Sequence, residues 1–314
     1  MNNKPIRGRF APSPSGRLHV GNMLSSLLAW LDVKSLGGEM LFRLEDLDPD
    51  RSSYEKALYM ADDLQWLGLD WDSGWNGQKN DLYAQSCRTE LYQSVFHDFE
   101  EKGLVYPCFC SRAQRLAASA PHPGEMQDVG CGCTRLPLDE RKALLSEKKH
   151  SYRIRVDTRN IQFTDDHYGP QSFTMRAGQD DFIVRRADGV FAYQLAVSYD
   201  DAVMGVTRVV RANDLLDSSP KQIWLIEQMG YEPPTYCHAP LLEVDGGRKM
   251  SKRNGDLCML ELRKTHTPQQ LCGKLAYLAG LIPSPEPLSP KDLIHEFSWD
   301  KVPTDNILLP NDLF

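Results

Sequence analysis

Residues 9–28, RFAPSPSGRLHVGNMLSSLL, decide how the rest of this chain is read. The apolar residues Ile6, Phe10 and Ala11 lead into a turn punctuated by Pro12, Pro14 and Gly16. A run with helical spacing then starts at Val20 and continues through Met23, Leu24, Leu27, Leu28 and Leu31. A strand, a tight loop and a helix N-terminus are expected. Such a junction presents unpaired backbone N–H groups at the positive end of a helix dipole, which suits a phosphate-bearing ligand. His19 and Asn22, at i and i+3, project together, and both can donate hydrogen bonds to developing negative charge. Taken alone, the plainer reading of His19 as a polar residue beside a turn is favoured.

A second stretch changes that weighing. Residues 246–255, GGRKMSKRNG, place four cations in six residues between glycines, as a clamp on phosphates would require. A solvated basic turn is the alternative for this segment by itself. The two together are far more specific than either.

Composition bounds the rest. With 314 residues, 41% hydrophobic and 25% charged, the chain is expected to be a soluble globular protein of two or three substructures. No run approaches the roughly eighteen apolar residues of a membrane span, and MNNKPIRGRF lacks a secretory core, so a cytoplasmic location is expected. A net charge of −7 argues against wholesale binding of nucleic acid but leaves room for a local basic face. Eight cysteines are too few for a disulfide scaffold. Four fall into two CxC pairs, Cys108/Cys110 and Cys131/Cys133, that can supply four thiolates to one tetrahedral zinc ion. Four protein ligands would leave no open position, so the role would be structural; four unrelated thiols are the alternative.

Along the chain, 40–44 reads as a strand running into the acids of 45–50, most of which suit a helix cap or solvent. Amphipathic helices are expected over 53–67, burying Leu58, Ala61 and Leu64, and over 82–102, burying Leu91, Val95 and Phe99, with Trp66, Trp71 and Trp75 as packing residues. From 151 the pattern alternates, with Tyr152, Ile154 and Val156 on a strand and 182–184 and 190–193 forming a hairpin about Asp188-Gly189. Residues 193–197 and 205–211 are expected to return to the main sheet. Helices follow over 218–229 and 268–281.

His19-Val20-Gly21-Asn22 resembles the HIGH motif, and Lys249-Met250-Ser251-Lys252-Arg253 the KMSKS motif, of class I aminoacyl-tRNA synthetases. RFAPSPSG and Leu44-Glu45-Asp46-Leu47-Asp48-Pro49 look like the glutamyl branch, and the resemblance covers nearly the whole chain. It implies an α/β Rossmann-like nucleotide-binding fold with an inserted zinc-containing acceptor-type domain and a short helical C-terminal region. The implied divisions are 1–104, 105–188, 189–243 and 244–314.

By the same resemblance, ATP with Mg2+ is met by His19, Gly21, Lys249, Ser251 and Lys252, with His19, Asn22, Lys249 and Lys252 acting in catalysis. L-glutamate is met by Arg9, Phe10, Ala11, Pro12, Ser13, Glu45, Tyr193 and Arg211, Glu45 taking the α-ammonium. Asn22 replaces the second histidine of the motif and keeps a donor that never carries charge. Short members of the branch often build a zinc site from a CxC pair, a tyrosine and a further cysteine four residues on; here Val129 stands at the tyrosine position and Cys131 offers a replacement.

Only residues 256–314 follow the second motif, too few for an anticodon-binding domain. The resemblance then implies a monomer that activates glutamate and places it on queuosine in the anticodon of tRNA(Asp). The alternatives are a minimal glutamyl-tRNA synthetase charging a 3′ end and a non-catalytic RNA-binding paralogue.

Overall fold

The computed structural model describes residues 5–110, 131–244, 257–310 and 312–314, and the backbone of 248–249. In its first part, strands β1 (Arg7–Phe10), β2 (Glu39–Phe42) and β3 (Ser73–Gly74) are joined by helices α1 (Val20–Ser35) and α2 (Tyr54–Leu67). All three strands pair in parallel, in the order β1-β2-β3. The apolar positions that announce α1 are buried, from Val20 through Leu31. Ser53 caps α2 by accepting from the Lys56 N–H, and Gly68 ends it at φ 89°, a left-handed geometry that costs glycine little.

Helix α3 (Thr89–Glu101), strand β4 (Val105–Cys108), helix α4 (Leu138–Glu147) and strands β5 (Ser151–Ile154), β6 (Arg159–Asp165), β7 (Gly169–Met175) and β8 (Phe182–Arg185) come next. β4, β5 and β8 form an antiparallel sheet, and a single bridge from Arg185 to Phe191 marks the expected hairpin about Gly189. Helix α5 (Tyr193–Val203), strand β9 (Arg208–Ala212), helix α6 (Ser219–Gln228) and strand β10 (Thr235–Ala239) complete a second parallel unit. β6 pairs with β10 and carries β7 outward, giving the order β7-β6-β10-β9.

The two units meet where β9 lies beside β1: the Thr207 N–H donates to the Arg7 carbonyl at 3.0 Å. Across the junction the strands read β3-β2-β1-β9-β10. The chain therefore leaves β1 to one side in its first half and to the other in its second, which opens a crevice at the carboxyl ends of β1 and β9. Strands β11 (Leu242–Val244) and β12 (Arg248–Lys249), helices α7 (Met259–Thr265) and α8 (Pro268–Leu278) and strand β13 (Ile307–Leu308) finish the chain. α8 begins with Pro268 and a reciprocal cap between Thr267 and Gln270, and it packs on α1 and α2. Among the described residues no helix is long and apolar enough to cross a membrane.

Three expectations are corrected. Residues 193–197 start a helix, not a strand. The helix expected over 82–102 begins at Thr89, after a short turn of 3-10 helix at Gln85–Cys87. Leu58 and Leu91 face solvent; α2 buries Ala57, Met60, Leu64 and Leu67 and α3 buries Tyr92, Val95, Phe96 and Phe99. Trp75 is buried, and Trp71 stacks on Phe42 with ring centroids 4.5 Å apart, as packing residues would.

Candidate active site

The crevice between the two units holds a cavity of about 940 Å3. The end of β1 and its loop contribute Arg9, Phe10, Ala11, Pro12 and Ser13; α1 contributes His19 and Asn22. Glu45, Tyr193 and Arg211 close the other side. The structure thus brings together every residue expected to meet glutamate, and sets them beside the start of α1.

His19 is the N-cap of α1. Its Nδ1 accepts from the Asn22 N–H at 3.3 Å, and the Asn22 Oδ1 accepts from the His19 N–H at 3.4 Å. With Nδ1 accepting, a neutral imidazole carries its proton on Nε2. A Cβ at Gly21 would stand 3.1 Å from the His19 ring, so glycine there lets the imidazole fold over the helix end. Asp63 receives the Leu18 N–H at 3.1 Å and pairs with Arg17 and Arg263, tying this turn to α2 and α7.

Beneath Glu45 lies a buried charge network that sequence reasoning missed. Arg43 is fully buried, and its guanidinium meets Asp201 at 2.7 Å, Glu45 at 3.1 Å and Asp200 at 3.8 Å. The Arg9 Nε stands 3.6 Å from Asp201, while its Nη1 donates to the Val210 carbonyl at 3.1 Å. Asp200 also accepts from Arg88 at 2.7 Å, Gln85 at 2.9 Å and the Tyr92 hydroxyl at 2.8 Å. Three arginines thus face three carboxylates. Isolated charges would be costly here, and mutual pairing makes burial tolerable. Burial pushes the Glu45 carboxyl above its ordinary range, against the pull of Arg43 and Arg9. Two adjacent acids inside the apolar helix α5 were the signal that could have revealed the network.

Arg211 differs. At the end of β9 it is buried, yet it forms no ion pair with a described carboxylate. Its Nη1 donates to the Gln222 amide oxygen at 2.7 Å, Nη2 to the Ser219 hydroxyl at 2.8 Å and the Leu215 carbonyl at 3.2 Å, and Nε to the His238 Nε2 at 3.0 Å. The guanidinium also sits 5.3 Å from the Tyr236 ring centroid. An arginine only donates, so the His238 Nε2 is an acceptor and its Nδ1–H donates to Asp165 at 2.6 Å. His238 is therefore neutral; burial, with Arg211 adding to it, holds its pKa below the usual value despite Asp165. Every direct partner of Arg211 among the described residues is neutral. Its charge is left to attract an anion in the cavity. Tyr193, at the first turn of α5, has its phenol raised by burial and by the Glu45 charge, against Arg211 and Arg9, so it stays a donor.

Of the basic segment, Lys249 is described in its backbone, paired with Glu243 between β12 and β11. Ser251 and Lys252 lie outside the described residues. The chain beyond them returns beside His19: the Val20 N–H donates to the Leu257 carbonyl at 3.0 Å and the Met259 N–H to the Leu18 carbonyl at 2.9 Å.

Cys108, Cys110, Cys131 and Cys133 bring their sulfurs within 4.8 Å of one another. The sulfurs stand 3.3 Å apart for Cys108 and Cys131, 3.7 Å for Cys110 and Cys131 and 3.5 Å for Cys110 and Cys133. A tetrahedron with Zn–S bonds of about 2.3 Å has edges of about 3.8 Å, so the four thiols fit a zinc ion. The Phe109 N–H points at the Cys133 sulfur from 3.4 Å, the kind of outer hydrogen bond that supports a thiolate ligand. Val129 lies outside the described residues.

Residues 5–286 match the family model described as tRNA synthetases class I (E and Q), catalytic domain. A glutamyl-Q tRNA(Asp) synthetase of Symbiobacterium thermophilum is 45% identical over 309 residues, 96% of this chain and 95% of that one. A protein of the same name from Nitratidesulfovibrio vulgaris is 42% identical over 313 residues, 98% and 97% of the two chains. In three dimensions the chain resembles a glutamate tRNA ligase from Elizabethkingia meningosepticum, solved in complex with its amino acid. The TM-score is 0.80 at 26% identity, covering 98% of this chain and 68% of that one.

Proposed function

This chain belongs to the class I tRNA synthetases of the glutamyl and glutaminyl type and, within them, to the glutamyl-Q tRNA(Asp) synthetases, and from that premise we propose that it activates L-glutamate with ATP and transfers it to queuosine in the anticodon of tRNA(Asp). The observation that carries the reading is the cavity at the strand switch point. It brings Arg211, a buried cation whose partners among the described residues are neutral, together with Glu45 beside the N-terminus of α1.

In this reading the side-chain carboxylate of glutamate meets Arg211, Arg9 and the Tyr193 hydroxyl, and its α-ammonium meets Glu45. Glutamine would present amide donors to two arginines and be rejected. The α-carboxylate is then held for in-line attack on the α-phosphate of ATP, with pyrophosphate leaving. His19 and Asn22 donate to the charge that gathers on the phosphates, helped by the backbone of α1 and by the space at Gly21. Lys249, Ser251 and Lys252 meet the triphosphate. Mg2+ arrives on the nucleotide, in keeping with its preference for substrate phosphates. Zinc on the four thiols would hold β4 to the turn at Gly132–Arg135 and take no part in the chemistry. All these groups come from one chain, so a monomer acting in the cytoplasm suffices.

Radiolabelled glutamate and ATP, offered with native tRNA(Asp), queuosine-free tRNA(Asp) and tRNA(Glu), test the reading. Label on native tRNA(Asp) alone is expected. Label on tRNA(Glu) would make the chain a compact glutamyl-tRNA synthetase instead.

A further inference from the structure

Glu45 and Tyr193 have a second side. With Ser13 and Ser15 they line both the crevice cavity and a neighbouring cavity of about 700 Å3. The second cavity also carries a different chemistry: Arg51, Lys56, Arg186 and Asp48 line it, and none of the four lines the first cavity. Asp48 lies 3.5 Å from Arg186 and 3.7 Å from Arg51, and Arg186 also meets Asp188 at 2.5 Å. These side chains are between 31% and 71% exposed. Pairs so close to water exchange partners at little cost.

Arg186 is common to two further cavities of about 460 and 540 Å3. The smaller sets Lys149 beside Cys108, Cys110 and Asp188, and the larger adds Lys148, His150 and Arg185 with Glu147 as its acid. A cationic track inside a chain of net charge −7 is a local feature, of the kind a polyanion requires.

We propose that the second cavity is the acceptor site and takes one unstacked nucleoside of an RNA loop. Arg186 exchanges Asp48 for a backbone phosphate flanking the nucleoside, and Asp48, released, accepts hydrogen bonds from hydroxyl or amine donors on the nucleoside. The inference rests on the reading that the chain transfers glutamate to RNA. In the transfer, the acceptor hydroxyl oxygen bonds to the acyl carbon of glutamyl-adenylate. The bond from that carbon to the phosphate oxygen breaks, its electron pair leaves with AMP, and the hydroxyl proton passes to that phosphate or to water. Ser13, Ser15, Glu45 and Tyr193 line both cavities, so a nucleoside in the second sits next to the glutamate held in the first.

Arg186→Gln and Asp48→Asn, in the full chain, separate the two cavities. Glutamate-dependent pyrophosphate exchange reads the first; transfer of labelled glutamate to native tRNA(Asp) reads the second. Exchange should stay at the wild-type rate in both variants. Arg186→Gln should raise the KM for tRNA about tenfold, Arg186→Lys should restore part of it, and Asp48→Asn should slow transfer about tenfold. Transfer at the wild-type rate, or exchange and transfer falling together, would overturn the assignment. If the wild type labels only tRNA(Glu), the queuosine reading fails, and the same variants on that acceptor still decide whether this cavity receives it.

Discussion

Arg211 shows how much one residue's surroundings decide. A buried guanidinium usually has a carboxylate beside it, and this one has an amide, a hydroxyl, a carbonyl and a neutral imidazole. Replacing it with glutamine removes charged hydrogen bonds of about 1.5–3 kcal/mol each. The KM for glutamate in pyrophosphate exchange should then rise about ten- to a hundredfold, with the KM for ATP unmoved. An unchanged glutamate KM would remove Arg211 from the substrate. His238 makes a second, pH-dependent prediction. Its folded pKa is depressed, so the unfolded chain takes up a proton below about 6.5 that the folded chain refuses. Its effect on stability is absent above that pH and becomes an increasing loss as pH falls toward the folded pKa. Denaturant unfolding of wild type and His238→Asn between about pH 7.5 and 5.5 should show a steeper fall for the wild type, by up to about 1.4 kcal/mol per pH unit. Parallel curves would mean that the fold leaves the imidazole's pKa where the unfolded chain has it, and a wild type that gains on the variant as pH falls would mean that the imidazole is charged in the fold.

Helix α5 is the element that the sequence pattern misread. Five residues, Tyr193 to Val197, suit a strand or a helix about equally, and only the burial of Asp200 and Asp201 two turns later distinguishes them. The distinction matters because a helix sets residues 193 and 201 about 12 Å apart, where a strand would set them about 26 Å apart. Tyr193 can then line the cavity while Asp201 pairs with Arg43 beneath it. Just before α3, at its N-cap, Arg88 donates to the Leu82 carbonyl and to Asp200, which holds residues 82–88 out of the helix that their composition allows. Helix α8 gives a test at this scale. A Cβ on Gly273 would stand 1.8 Å from the Glu286 carbonyl oxygen, where the connector crosses the helix. Alanine in a helix normally stabilises by about 1 kcal/mol relative to glycine. Here Gly273→Ala should instead destabilise by about 1–3 kcal/mol, read by urea unfolding. A stabilised variant would show that the connector does not press on α8.

For the molecule as a whole, the four thiols join segments that are distant in sequence, β4 and the turn at Gly132–Arg135. Burial and the Cys133 thiol push the Cys110 thiol up to about 11. One zinc per chain is expected by elemental analysis, and chelation or Cys133→Ser should lower the Tm. A protein that binds no zinc, and whose Tm a chelator leaves unchanged, would return the cluster to ordinary packed thiols. Local chemistry carried much of this legibly. The 9–28 stretch determined a strand, a loop and a helix start that lines the crevice; the spacing of the cysteines marked them as one cluster; Arg9, Glu45, Tyr193 and Arg211 were selected by resemblance and share a cavity. These readings succeed because they depend on residues close in sequence or on motifs of fixed spacing. The pairing of Arg43 with Asp201, the neutral shell around Arg211 and the second cavity behind Glu45 depend on contacts between residues as far as 158 positions apart. Only the meeting of β1 with β9 decides those, since no periodicity records which buried charges will face each other once the two halves close.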